Sequence, residues 1–142
     1  MTSPEASHCA SVCAAPHVRV SVGSEEADGV TVVAQNSDPL TYLGPRPIRV
    51  CDAAGLETGT ISLALLRRST RRDVSAVVAR IASGNPARVL GHRRVRGFPG
   101  VRRADVRSVD GRPLPVEVDG EYVGELDAVR YDTAPRQLAI AA

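Results

Sequence analysis

The residues best suited to chemistry lie near the C-terminus, where the chain reads LPVEVDGEYVGE from 114 to 125. Asp119-Gly120-Glu121 sets two carboxylates around a glycine, and a carboxylate accepts the proton of a hydroxyl when it lies within hydrogen-bond reach. The same tripeptide is also what a tight turn requires. Aspartate and glycine tolerate positive φ, so an Asp-Gly pair between valine-rich runs is a strong hairpin signal. The chain has three such pairs, at 28–29, 110–111 and 119–120, and at least two of them are expected to be turns only.

Other reactive groups are sparse. His8, Cys9, Cys13 and His17 form H-C-x3-C-x3-H, a spacing that fits no established zinc pattern, and no metal site is assigned. The three cysteines, Cys9, Cys13 and Cys51, are an odd number and argue against a disulfide framework. Arginine supplies all 18 basic residues. Its planar fork suits phosphate, although a GC-rich coding bias accounts for most of this usage. Arg67, Arg68, Arg71 and Arg72 form one cluster, and Arg88, Arg93, Arg94, Arg96, Arg102 and Arg103 a second. Gathered on one face they would attract anionic lipid; the plainer reading is a solvated strand face. His92, among these arginines, reads as an ordinary surface histidine.

Positioning such groups takes a core. At 142 residues the chain has the size of one domain. Its apolar content is mostly Val, Ala and Leu, with no Trp and one Phe, and valine favours strands. A formal charge of +2 disfavours a dedicated nucleic-acid binder. The N-terminus lacks a basic n-region, and no apolar run approaches the ~18 residues of a membrane span. A soluble, cytosolic protein is expected.

Residues 1–16 read as a disordered lead-in. Strands are expected at 17–22, 30–36, 47–51 and 60–68, with turns or loops at 23–29 and 37–47. The 60–68 run is apolar enough to be buried on both faces. One helix is expected over 71–84, where Val74, Val77, Val78 and Ile81 recur at helical spacing as a core-packing stripe and Gly84 supplies the stop. Strands follow through ARVLGHRRVRGF, VRRADVRSV, LPVEV, the segment 122–131 and QLAIA. The fold class is mainly β, an antiparallel β-sandwich-like domain with one packed α-helix.

The order of motifs resembles a known family. Asn36, Pro39 and Thr41-Tyr42-Leu43-Gly44, then AGLETGTISL, the helix from 71, PVEVDGEYVG and TAPRQLAIA follow one another as in the C-terminal domain of diacylglycerol kinase-like lipid kinases, a group that includes sphingosine and ceramide kinases. The resemblance spans about 17–141. It implies that the Asp-Gly-Glu turn lies at the cleft between two domains. Glu121 would then be the general base or a contact to nucleotide-bound Mg²⁺, Gly120 would let the backbone approach phosphate, and Asp119 would hold the turn.

Two departures matter. The family's nucleotide-binding domain carries Gly-Gly-Asp-Gly-Thr, and this chain has neither that motif nor any glycine-rich phosphate loop. The family's acidic segment Asp-Asp-Gly-x-x-Asp reads Glu57-Thr58-Gly59-Thr60-Ile61-Ser62, with two of three carboxylates replaced. Residues 17–142 therefore read as a lipid-kinase C-terminal-like β domain, incomplete on its N-terminal side. The resemblance implies ATP and Mg²⁺, with no motif here for either. Expected partners are a nucleotide-binding domain encoded elsewhere, a lipid substrate such as diacylglycerol and a peripheral contact with the inner membrane face, but no nucleic acid. No kinase activity is expected from this chain alone. The alternative is a non-catalytic β domain that binds lipid or a protein partner.

Overall fold

The structure, a computed structural model, describes residues 15–52, 55 and 57–134. Nearly all of the expected lead-in, the QLAIA strand and the residues His8, Cys9 and Cys13 fall outside them. The first sheet contains β1 (Val18–Val22), β2 (Glu25–Gly29), β8 (Arg103–Ser108) and β11 (Ala128–Asp132) in the order β11-β8-β1-β2. The second contains β3 (Thr31–Gln35), β6 (Ile61–Leu66) and β7 (Val95–Val101) in the order β3-β6-β7. Two hairpins form sheets of their own: β4 (Thr41–Leu43) with β5 (Arg46–Ile48), and β9 (Leu114–Val118) with β10 (Glu121–Leu126). Every strand pairing is antiparallel.

Alternation along the strands builds a layered body. Val18 and Val20 of β1 and Ala104 and Val106 of β8 face inward, where they meet Leu63 and Leu65 of β6, Phe98 of β7 and Leu114 of β9. A period of two sends the intervening residues to solvent. There the charges sit opposite one another: Arg19 against Asp28 at 2.6 Å, Arg130 against Asp105 at 2.6 Å, and Arg103 against Asp132 at 2.8 Å. Strand β6 is central and apolar because both of its faces are covered. Leu63 and Leu65 point into the sandwich, while Ala64 joins Val50, Cys51 and Val89 in a second core on the other side.

That second core packs beneath α1 (Arg71–Ala82) and α2 (Pro86–Leu90), which contribute Val77, Ile81 and Leu90. Thr70 caps α1: its Oγ1 accepts the Asp73 N–H at 3.2 Å and donates to Asp73 Oδ2 at 2.7 Å. Thr70 is thus an N-cap held in place by its own hydroxyl's bond to the Asp73 carboxylate. After Gly84, at φ 70°, Asn85 caps the second helix through Ala87 N–H and Pro86 opens it.

The sandwich-like, mainly β architecture is as expected, with several differences. The helical layer has two helices, because Asn85-Pro86 is a start signal as well as the end of the preceding one. The expected turn at 23–29 is mostly strand β2, whose Glu25, Glu26 and Asp28 project outward. The expected loop at 37–47 contains the β4–β5 hairpin, and its proline is tolerated because β5 pairs on one side only. The expected stripe on α1 is half right: Val77 and Ile81 pack inward, whereas Val74 and Val78 face solvent. His92 is a buried residue, not a surface one. It is 8% exposed, and its Nδ1 accepts the N–H of Arg94 at 3.2 Å.

Candidate functional site

The Asp119-Gly120 turn joins β9 to β10, with Val118 directly opposite Glu121. Asp119 has φ 52° and Gly120 φ 85°, the pair of positive values that a type I′ turn needs to match the twist of its strands. Among the described residues, Asp119 is the one non-glycine with positive φ. Leu114 anchors β9 in the sandwich and Val116 packs beside it, so the hairpin projects from a fixed base. Register slips between Tyr122 and Gly124 and leaves Val123 unpaired, a bulge that sharpens the local twist.

The turn brings Asp119, Gly120 and Glu121 together and leaves all three exposed. Neither carboxylate makes a hydrogen bond or salt bridge among the described residues. Residues 117–127 hold five carboxylates, Glu117, Asp119, Glu121, Glu125 and Asp127, and no arginine. A polar concavity of about 490 Å³ lies elsewhere, lined by Arg19, Glu26, Asp28, Arg67 and Arg96. The turn is thus held open toward solvent rather than set in a pocket.

The segment 57–62 is occupied by hydroxyl chemistry. Thr58 Oγ1 lies 2.7 Å from the carbonyl oxygen of Gly55 and 2.9 Å from Thr60 Oγ1, while Ser62 Oγ is buried and accepts Gly100 N–H at 3.1 Å. Where the resemblance would place ligating carboxylates, this chain closes a turn on itself. Among the described residues no group of three or more His, Cys, Asp or Glu side chains is arranged to hold a metal ion. The sequence contains no glycine-rich loop of the kind that cradles nucleotide phosphates.

One structural residue was missed from the sequence. Gln35, fully buried, accepts the N–H groups of Val50 at 3.2 Å and Cys51 at 3.0 Å and donates to the Ser37 carbonyl at 2.7 Å. It fastens both ends of the loop that follows Asn36, the residue singled out by the resemblance. Asn36 itself is exposed. The polar character of Gln35 within a valine-rich strand was the available signal.

No protein-family model matches the chain, and no curated protein sequence matches it at a significant level. Solved structures do match in shape. One is described as a candidate diacylglycerol kinase from Bacillus anthracis str. Sterne: it has a TM-score of 0.60 at 13% identity, with 83% of this chain and 36% of that one covered. A second structure with the same description has a TM-score of 0.58 at 14% identity, covering 82% and 36%. The fold is diacylglycerol-kinase-like. The chain spans little more than a third of the length of these structures.

Within this diacylglycerol-kinase-like fold, the Asp110-Gly111 turn is a point of attachment between two segments. Asp110 takes the Arg112 guanidinium, the His17 N–H at 2.9 Å and the Arg112 N–H at 3.2 Å, tying the entry of β1 to the β8–β9 connection. The Arg112 side chain first, then the His17 N–H, hold its carboxyl far below the ordinary value of 3.8. A carboxyl depressed in the folded state stabilises the fold above its unfolded value and loses that contribution as pH falls. Asp110→Asn is therefore expected to lower the Tm at neutral pH, with the gap to the parent chain closing as pH drops below 3.8. A gap that stays constant in thermal melts across that range would contradict this role.

Proposed function

We propose that the chain is the lipid-facing half of a diacylglycerol kinase-like phosphotransferase. The observation that carries this reading is the presentation of Glu121: a carboxylate without a partner among the described residues, at the tip of an anchored type I′ hairpin, on this fold. In the reaction, a lipid hydroxyl oxygen attacks the γ-phosphorus of ATP. The new O–P bond forms as the bond to the ADP oxygen breaks, and the hydroxyl proton passes to a carboxylate. Glu121 is the acceptor for that proton. Gly120, lacking a Cβ, lets the reacting phosphate approach the backbone, and Asp119 keeps the turn in its left-handed conformation. Nucleotide and Mg²⁺ would be held by a second polypeptide segment carrying the phosphate loop, and the metal would supply charge neutralisation on the phosphates. The working location is the cytoplasmic face of the membrane, where lipid alcohols meet ATP.

The test is phosphate transfer from ATP to diacylglycerol vesicles by the purified chain, alone and with a Gly-Gly-Asp-Gly-Thr polypeptide encoded beside it. No turnover is expected alone. With the second polypeptide, turnover appears and falls about 100-fold or more in Glu121→Gln. Turnover by the chain alone, or an undiminished variant, would overturn the reading.

The hydroxyl network at 57–62 favours a second reading, a non-catalytic β domain that kept the fold and binds lipid or a protein partner. It predicts liposome binding that survives Glu121→Gln, with no turnover in any combination.

A further inference from the structure

Helix α1 has no ordinary polar face. A surface helix normally sets charged residues of both signs opposite its apolar stripe. Here the buried side carries Val77 and Ile81, and the solvent side at helical spacing carries Arg71, Val74, Ser75, Val78 and Ala82. Val74 is 39% exposed and Val78 57%.

The charge around this helix is one-sided. Residues 67–94 contain eight arginines and one carboxylate, a formal +7; the whole chain carries +2, so everything outside this stretch sums to −5. The single carboxylate, Asp73, is buried in the cap of α1. Arg68, Arg71, Arg72, Arg88 and Arg93 are exposed, and none makes a salt bridge among the described residues. The outward arginines of the first sheet differ: Arg19, Arg103, Arg107 and Arg130 each have a carboxylate within reach. Among the described residues the arginines thus fall into two groups, one set against carboxylates and one without a salt bridge.

The C-terminal end of α1 abuts a second apolar feature. A Cβ at Gly84 would stand 3.5 Å from the Pro47 carbonyl oxygen on β5. Its partner strand β4 exposes Tyr42 at 63% and Leu43 at 70%.

We propose that this face, α1 with its unpaired arginines and the adjoining β4–β5 tip, docks on the surface of an anionic lipid bilayer. Arginines without internal partners complement phosphate headgroups. Exposed Val74, Val78, Tyr42 and Leu43 have a use there that a nucleic-acid backbone does not offer, because apolar side chains enter the boundary between headgroups and acyl chains. The proposal needs neither Glu121 nor a nucleotide, so it stands or falls separately from phosphotransfer.

The experiment is co-sedimentation of the full chain with phosphatidylcholine vesicles, and with vesicles in which about a third of the lipid is phosphatidylglycerol. Binding is expected to the anionic vesicles only and to weaken with added salt. Replacing Arg68, Arg71 and Arg72 with glutamine should weaken it about 100-fold, and lysine at the same positions should keep most of it. Val74→Ser with Val78→Ser should weaken it about 10-fold. Glutamine at Arg103, Arg107 and Arg130, the same change in net charge on the first sheet, should leave it in place. Equal binding to both vesicle types, or none to the anionic ones, overturns the proposal. So does loss of affinity with the arginines but not the valines, matched by equal binding to a DNA duplex, which would mark a general polyanion site.

Discussion

Gln35→Leu is expected to destabilise the domain by about 2–5 kcal/mol, since each buried polar group stripped of its partner costs about 1–3 kcal/mol. The substitution keeps the size of the side chain and removes its hydrogen bonds. Val50 and Cys51, both about 5% exposed or less, would be left with amide N–H groups unable to reach water. The Ser37 carbonyl would lose its 2.7 Å donor. Domains of this size are stable by about 5–15 kcal/mol, so the loss is a large fraction of the total. Cys51 gives a second readout: burial pushes its thiol up to about 12, so native protein should alkylate slowly. In a Cys9→Ser/Cys13→Ser background, Gln35→Leu should shift the urea midpoint down and speed Cys51 alkylation. A change below about 1 kcal/mol with unaltered alkylation would show that the loop does not depend on Gln35.

Gly29→Ala is expected to destabilise the domain by a different route, overpacking. A Cβ there would lie 2.5 Å from Leu65 Cδ1 and 2.5 Å from the Leu66 carbonyl oxygen. No real contact is that short, so the edge of the first sheet must move away from β6. Overpacking of this kind costs about 1–3 kcal/mol. Leu65→Ala alone should cost about 2–5 kcal/mol through the cavity it leaves. The double variant separates the two obstacles. Shortening Leu65 relieves the side-chain clash, so the two changes should cost less together than their sum. Rescue must stay incomplete, because the backbone oxygen of Leu66 cannot be removed. Strict additivity in urea unfolding would mean that Gly29 and Leu65 do not press on one another.

The sequence revealed most where local signals and tertiary demand agree. In β6, ISLALL advertised burial on both faces, which a central strand between two cores requires. In α1, Gly84 and the Val77–Ile81 spacing were enough to delimit the helix. The Asp119-Gly120 turn was legible because a two-residue hairpin needs those residue types. The failures have the opposite cause. Strand β2 exposes three acids and turns only Ala27 and Gly29 inward, so no alternation of large apolar residues announces it. Prolines disguised β4–β5, whose pairing on one side needs few donors. Burial of His92 and Gln35 depends on segments that meet only in the folded chain. At Asp119-Gly120-Glu121 the turn type was readable, but the lack of a partner for Glu121 among the described residues was not.

The paired charges on the outer face of the first sheet also guard against a mistake in assembly. Inward and outward residues alternate, so sliding β11 along β8 by two positions would keep every apolar side chain facing the core. Hydrophobic pattern alone cannot reject such a slip. The charges can. In the native alignment Arg130 faces Asp105 and Asp132 faces Arg103. A slip one way sets Arg130 against Arg103; the other sets Arg130 against Arg107 and Asp132 against Asp105. Like charges directly opposed are unfavourable, so both misalignments pay a penalty that the native one escapes. The ladder adds little to strength and acts instead as an error check, reading out the correct alignment of the last described strand.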